Sequence, residues 1–330
     1  VQCLIEHEDC RVYQLEPFAQ VARYVATTED TRAICNDPFI FGTSYTSRLR
    51  QAMTQVLAAL SQAKIVIGEE RNAVVLHILR GGLNFGLREA LSSAYGWERH
   101  HGAFVSSQRA CSGQKGWYIT EDSYEKVMMI ARTDWIIADV VATGVSLERA
   151  LLKLIRMSRE SEKSIRRITF FTIGGARAEQ LVAEADARCR KAFPAHYLGA
   201  CVVYLEGIFG VADENSPLSI AIPGTDLLRH PAEALAPEFV ASQAESPSYA
   251  LERCTIYDAG SRAFDVDEYL RDVSDYWARV LTLASQGTTY ETYLRERFPA
   301  DPRLDKEIPA DWRSAALLSD IATKQIVRAR

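Results

Sequence analysis

Two strand-to-helix turns carry the residue types that could do chemistry. The first follows the apolar run Ala73 to Leu79 (AVVLHIL) and reads Arg80-Gly81-Gly82, ahead of a helical pattern with Leu83, Leu87 and Leu91. A guanidinium beside two glycines offers a forked cation and bare backbone N–H groups, which is what a diphosphate group requires. The second follows Trp135-Ile136-Ile137, closed by Ala138 and Asp139, and reads Ala142-Thr143-Gly144-Val145-Ser146 before a helix expected to open near Ser146. The first N–H groups of a helix lack intrahelical partners and lie at the positive end of its dipole, so this turn can hold a phosphate dianion. Thr143 and Ser146 add hydroxyl donors, and Gly144 lets the backbone come close.

The elements that must position these turns follow from the pattern around them. Ala73 to Leu79 and Trp135 to Ile137 are continuous apolar runs, as expected of parallel strands buried on both faces. Arg166 to Gly174 (RRITFFTIG) and Ala200 to Leu205 are two more, with helical stretches such as Ala176 to Arg188 between them. Strands alternating with helices predict an α/β fold, a parallel sheet flanked by helices. From Ser44 to Ala63, Leu49, Met53, Val56, Leu57 and Leu60 share one helical face ahead of the first strand.

Composition sets bounds on the rest. At 330 residues, 48% hydrophobic and 25% charged, the chain can bury one large core or two modest ones. A net charge of −5 gives no support to a nucleic-acid groove or an anionic membrane surface. No apolar run approaches the roughly 20 residues that cross a bilayer. The start, VQCLIEHEDC, has neither a signal-peptide core nor an initiator Met. Seven scattered Cys read as reduced thiols in a cytoplasm, and Cys3, His7 and Cys10 lack the CxxC pair that would back a zinc site.

The two turns, about sixty residues apart, together resemble the type I phosphoribosyltransferases. In that family the first loop holds the diphosphate of phosphoribosyl diphosphate (PRPP) and the second holds its 5-phosphate. Purine-specific members have an Asp just before Thr-Gly in the second loop; here that position is Ala142. The chain is more similar to the uracil phosphoribosyltransferases, whose first loop reads Ile-Leu-Arg-Ala-Gly-Leu, against ILRGGL from Ile78 to Leu83. Their hood pattern, Ile-Val-Pro-Gly followed by Gly-Asp-Ala-Gly-Asp-Arg-Leu-Phe, is matched in two pieces, Ile220 to Gly224 and Asp258 to Phe264. An Ala-, Pro-, Ser- and Glu-rich insertion at about 225–257 separates them, Tyr257 replaces the Gly before the Asp, and Ser261 replaces the second Asp.

The resemblance implies an organisation and a set of roles. Residues 1–43 are an N-terminal extension, 44–264 a phosphoribosyltransferase-like domain with its hood, and 265–330 a helical C-terminal extension with amphipathic residues at Leu270, Val273, Tyr276, Trp277, Val280 and Leu281. Arg80, Gly81 and Gly82 hold diphosphate together with Mg²⁺ carried by PRPP. Ala142, Thr143, Gly144, Val145 and Ser146 hold the 5-phosphate, and Asp258 contacts the ribose. Ile222, Gly224 and Tyr257 border the base. An Arg near the start of the helix before the first loop is common in the family; Arg48 or Arg50 is the candidate for that place, and the reading taken for both is a solvated helix charge.

Between the two loops, Gly102 to Ser107 is a second short strand and 108–116 a polar, glycine-bearing connection. Trp117 to Thr120 and Lys126 to Ala131 then form a hairpin turned at Glu121-Asp122-Ser123. Arg109 stands where the family has an Arg that closes over the diphosphate; Lys115 is a second candidate. The family's first acidic position at the strand end is Ala138 here, and Asp139 is the carboxylate that remains. Asp139 holds the ribose hydroxyls, waters on Mg²⁺, or is structural.

The implied function is PRPP-dependent transfer of ribose 5-phosphate to a pyrimidine-like base. Its partners are PRPP, a nucleobase and a second copy of the chain in a homodimer. Displacing diphosphate from ribose C1 builds oxocarbenium character, so such a protein positions the nucleophile, neutralises the leaving group and excludes water. Ala138, Tyr257 and Ser261 keep two alternatives open: a non-catalytic PRPP- or nucleotide-binding regulator, and a phosphoribosyltransferase with a different acceptor.

Overall fold

The computed structural model describes residues 2–79, 81–112, 116–212, 215–221, 227–252, 265–299 and 301–330; of 107–112, 116–123, 228 and 230–233 it describes the backbone alone. The chain opens with strands β1 (Gln2–His7), β2 (Cys10–Phe18) and β3 (Val21–Thr27), then helices α1 (Glu29–Asn36) and α2 (Gly42–Gln62). Thr28 starts α1 with a capping box, its side chain accepting from the Thr31 N–H while Thr31 returns the contact. Next come β4 (Ala73–Leu79), a 3₁₀ turn (Gly81–Phe85), α3 (Leu87–Tyr95), β5 (His101–Ser112), β6 (Gly116–Lys126) and β7 (Arg132–Val141). The series continues through α4 (Val145–Glu160), β8 (Ser164–Gly175), α5 (Arg177–Ala192), β9 (Gly199–Val211), β10 (Leu227–Leu235), α6 (Pro237–Ser242) and α7 (Pro247–Leu251). It ends with α8 (Val266–Ser285), α9 (Tyr290–Arg297) and α10 (Ala315–Arg328).

The strands form one sheet in the order β1-β2-β3-β9-β8-β7-β4-β5-β6, with β10 pairing on β9. Its centre is parallel, β4 with β5 and β7, β7 with β8, β8 with β9, and β9 with β3. Helices flank it, so the fold is mixed α/β with a largely parallel sheet, as the alternation of strands and helices implies. Counted from β4, the central strands run in the order 2-1-3-4-5, which places a topological switch point between β4 and β7. The chain leaves β4 toward β5 on one side and leaves β7 toward β8 on the other. Sheets of this kind bind ligands in a crevice at the carboxyl ends of the strands beside such a point, which is where these two loops lie.

The core explains why these segments are strands. Val74, Val75, Leu76, Trp135, Ile136 and Ile137 expose no surface, and each large apolar side chain so buried contributes about 1.5 to 3 kcal/mol against the cost of ordering it. Buried residues of α8, α9 and α10, among them Tyr269, Trp277, Tyr293 and Leu318, form a second apolar cluster with Ala250 and Leu251 of α7. Phe39 and Phe41, just ahead of α2, pack against it. Tyr269 donates to the Pro38 carbonyl at 2.5 Å, and Arg328 pairs with Asp37 at 3.1 Å, tying that segment to the C-terminal helices.

One sequence expectation is displaced. Pairing of β5 with β6 runs from Phe104↔Lys126 to Ser112↔Gly116, so the two make a single long antiparallel ribbon. Glu121-Asp122-Ser123 lie inside β6 and do not turn the chain, Gln108 to Ser112 continue β5, and β6 ends where a further strand was expected. The polar stretch from Gln108 onward lacks the alternating apolar pattern that announces a strand, and cross-strand hydrogen bonds form without it.

Candidate functional site

The site is assembled from the ends of β4 and β7. Ala138 is fully buried at the end of the apolar run, and Asp139 follows it, half-buried, with its carboxylate accepting the Val140 N–H at 2.9 Å. Beyond Val141 the chain bends through Ala142 and Thr143 and enters α4 one residue earlier than the sequence suggested, at Val145. Gly144 is the N-cap, with φ of +77°, and has no side chain to occupy the N–H groups of the first turn. Two requirements make it glycine. The left-handed backbone disfavours any Cβ, and a Cβ there would lie 2.7 Å from Leu181 Cδ1 and 2.9 Å from Arg177 Cγ. Thr143, Val145 and Ser146 are half-buried around the turn.

The turn after β4 packs directly on this strand end. A Cβ on Gly81 would meet Asp139 Oδ1 at 2.8 Å, and one on Gly82 would meet the Ala138 carbonyl oxygen at 2.9 Å. Gly81 and Gly82 thus lie against two adjacent residues near the end of β7. Both loops lie at the carboxyl ends of the two strands that flank the switch point, one with backbone at Gly81-Gly82 and the other with the first turn of a 16-residue helix that no side chain caps. The Asp139 carboxylate borders Gly81.

Two features near the turn escaped sequence reasoning. Gly174-Gly175-Ala176-Arg177 ends β8 and opens α5, and a Cβ on Gly174 would press on the Val141 carbonyl. This third glycine-bearing turn brings Arg177 beside Gly144, where it pairs with Glu148 at 3.6 Å and Glu184 at 3.8 Å. Its signal was the Gly-Gly-Ala-Arg string itself, passed over as the end of a strand. The other is a cavity of about 410 Å³ beside the Gly81–Phe85 turn, with Thr43, Thr46 and Arg50 of α2 on one wall and Leu83, Asn84 and Glu89 on the other. Arg48 instead pairs with Asp30 at 2.8 Å, so of the two α2 arginines Arg50 faces this end of the fold.

Several expected residues are not among those assembled at the site. Arg80, Lys115, Ile222, Gly224, Tyr257 and Asp258 lie outside the described residues, and Arg109 is described only as a backbone position in β5 opposite Ile119. Among the described residues no group of three or more His, Cys, Asp and Glu could hold a metal ion. Asp139 beside the bare Gly81 suits an ion that keeps its waters and takes its other ligands from substrate oxygens, the usual manner of Mg²⁺. Burial pushes the thiols of Cys10 and Cys189 up to about 12, which removes both as nucleophiles at neutral pH. No described helix is long and apolar enough to cross a membrane.

No protein-family model matches the chain, and no curated protein matches it. Among solved structures it is similar to a hypoxanthine phosphoribosyltransferase from Staphylococcus aureus, at 15% identity and a TM-score of 0.25, over 53% of this chain and 74% of that one.

Proposed function

We propose that the protein is a phosphoribosyltransferase that transfers ribose 5-phosphate from PRPP to a pyrimidine-like base and releases diphosphate. The observation that carries this reading is the packing of the Gly81-Gly82 turn on the strand that leads into the Gly144 turn, with Gly81 against Asp139 and Gly82 against Ala138. A ligand with a phosphate at each end of a ribose matches two phosphate-binding turns that face one crevice. The Val145-Ser146 end of α4 receives the 5-phosphate, with Thr143 and Ser146 hydroxyls as further donors. Gly81 and Gly82, with Arg80 ahead of them, receive the diphosphate, whose growing charge the guanidinium stabilises as the C1–O bond breaks. Mg²⁺ arriving with PRPP adds positive charge at the same leaving group, and Asp139 orients its waters or the ribose hydroxyls. Asp258 meets the ribose, and Ile222, Gly224 and Tyr257 border a base in a pocket whose loop presents Ala142 where a purine-reading carboxylate would stand. Arg109 closes over the diphosphate, and the working form is a cytoplasmic homodimer.

A second reading has one observation in its favour. Ala138, fully buried, stands in place of a carboxylate, and the Asp139 side chain already accepts its neighbour's N–H. A protein that binds PRPP as a signal needs the cradle and not the second carboxylate. Incubation with PRPP, Mg²⁺ and a panel of bases, following diphosphate release, separates the two. The transferase reading expects uracil to yield uridine monophosphate and Arg80→Ala to slow that release about 10-fold or more, the loss of a charged hydrogen bond to the leaving group. Tight PRPP binding with the same negligible release in both proteins assigns the regulator, and turnover of guanine or hypoxanthine without uracil removes the pyrimidine assignment.

A further inference from the structure

The C-terminal helices have no part in the chemistry proposed above, yet they hold the chain at points that border both hood pieces. β9 ends next to the third glycine-bearing turn, since a Cβ on Gly175 would lie 2.9 Å from Val211 Cγ2. The chain then runs to Ser219 and Ile220, directly ahead of Ile222, where two consecutive residues at the end of α9 grip it. The Glu296 carboxylate accepts the Ser219 N–H at 2.7 Å with one oxygen and the Ser219 hydroxyl at 2.6 Å with the other. Arg297 donates to the Ile220 carbonyl at 3.2 Å, and Ile220 is itself buried in the apolar cluster of α8, α9 and α10.

Arg297 is 2% exposed, and its guanidinium lies 5.7 Å from the centre of the Tyr276 ring on α8. The Tyr276 hydroxyl donates to the Leu251 carbonyl at 2.5 Å, at the end of α7. A hydroxyl has one proton to give, so the Tyr293 hydroxyl, 3.1 Å away, donates to Tyr276. One stacked pair thus holds Ile220, where the first hood piece starts, and Leu251, shortly before Tyr257. The second piece, Asp258 to Phe264, runs straight into Asp265, the N-cap of α8, whose side chain accepts the Glu268 N–H at 2.9 Å. Two residues of extended chain span at most about 7 Å, so fixing Ile220 confines Ile222 to a small volume.

We propose that Arg297 and Tyr276 are positioning residues of the acceptor subsite, through which the C-terminal helices set the place of Ile222 and Tyr257 and so raise the affinity for the base. The inference rests on the reading above in which these hood residues border the base. Burying a guanidinium is costly, and apolar residues of similar volume would serve stability as well; hydrogen bonds add direction, fixing the carbonyls they hold as well as burying them. A subsite whose backbone is fixed in advance binds more tightly than one that must be ordered on binding. The bonds named here go to the flanks of the hood pieces and to neither glycine turn, so their loss is expected to be felt at the base and not at the ribose 5-phosphate.

The test separates the base from the rest of the product. Uridine monophosphate and ribose 5-phosphate are titrated into the full chain by calorimetry, as wild type, Arg297→Met, Arg297→Lys and Tyr276→Phe, and the ratio of the two affinities reads the base alone. The wild type should bind uridine monophosphate the more tightly. Arg297→Met, which keeps the length and loses every donor, is expected to lower the ratio about 3- to 10-fold and leave ribose 5-phosphate unchanged. Arg297→Lys, which keeps a cation and a donor, restores part of the loss. A wild-type ratio in a folded Arg297→Met, or equal weakening of both ligands, overturns the assignment while the base reading stands. A wild type that binds uridine monophosphate no more tightly than ribose 5-phosphate sinks that reading and this inference with it. Should Arg297→Met not fold, Tyr276→Phe decides: it keeps the ring beside the guanidinium and loses only the hydroxyl, so a ratio lowered about 3-fold is expected, and an unchanged ratio contradicts the role.

Discussion

The two ends of β7 each carry an aspartate, and the structure uses them in opposite ways. At the N-terminal end Asp134 exposes no surface, accepts the Glu69 N–H at 2.9 Å and faces Arg166 at 3.2 Å, while Arg166 also pairs with Glu69 at 2.8 Å. Gly68 is the residue that leaves room for it, since a Cβ there would come within 2.9 Å of Asp134 Cβ. At the C-terminal end Asp139 is half-buried, binds its own neighbour's N–H and borders Gly81. One end is closed by a charge network, and the other is built from glycine turns, with no side-chain cap on the first turn of α4. The same strand is thus anchored at one end by charge and bordered at the other by the turns of the proposed site, which is the division expected of a sheet that binds at its carboxyl edge.

The largest effect that would break this comparison is at the closed end. Asp134→Ala leaves Arg166 and the Glu69 N–H short of a buried partner and is expected to cost about 3 to 5 kcal/mol in urea unfolding, with the ligand affinity of the folded fraction unchanged. A comparable drop in PRPP affinity at constant stability would reverse the assignment of the two ends.

Glu206, just past the middle of β9, sharpens the rule, because a carboxylate toward the open side of the sheet is here structural. It is fully buried, accepts from the Thr27 hydroxyl at 2.8 Å, the Thr28 N–H at 3.2 Å and the Thr31 hydroxyl, and sits at φ of +67°. Burial lifts its pKa from 4.5 to about 7, against the pull of Thr31, Thr27, Arg32 and Thr28. The folded protein therefore holds this proton more tightly than the unfolded chain. The stability it contributes is fully present below about pH 4.5 and is lost as pH rises through about 7, by roughly 3 kcal/mol in all. Unfolding free energies measured across that window should show the decline, and Glu206→Gln should flatten it; the same slope in the variant would place the titration elsewhere.

The smallest stability effect is at the open end itself. Gly144→Val is expected to cost about 2 kcal/mol from the left-handed backbone and the contacts with Leu181 and Arg177. The more telling outcome is functional: ribose 5-phosphate, which should raise the wild-type melting temperature by binding the native state, should leave that of the variant unmoved.

Continuous apolar runs announced the central strands, and Arg-Gly-Gly and Ala-Thr-Gly announced the two turns, because strand burial and close backbone approach both leave local marks in residue type. What the sequence did not show depends on partners far along the chain. Nothing near His77 says that Gly82 folds back onto its rung, and nothing near Asp134 says that Arg166 will lie beside it. The β5–β6 ribbon was misplaced because Gln108 to Ser112 lack an apolar period, while Glu121-Asp122-Ser123 look like turn residues and instead lie within β6, where Glu121 and Asp122 pair across the ribbon. Arg177 was missed because its approach to Gly144 depends on how α5 packs beside α4, which no local pattern encodes.

The central claim is that the two turns form one site for one ligand, and competition between fragments tests it directly. Ribose 5-phosphate and Mg²⁺–pyrophosphate should bind the wild type together, one at each turn, and PRPP should bind more tightly than either and displace both. PRPP that displaces only one fragment, or binds no more tightly than the better of them, would contradict a shared site across the switch point.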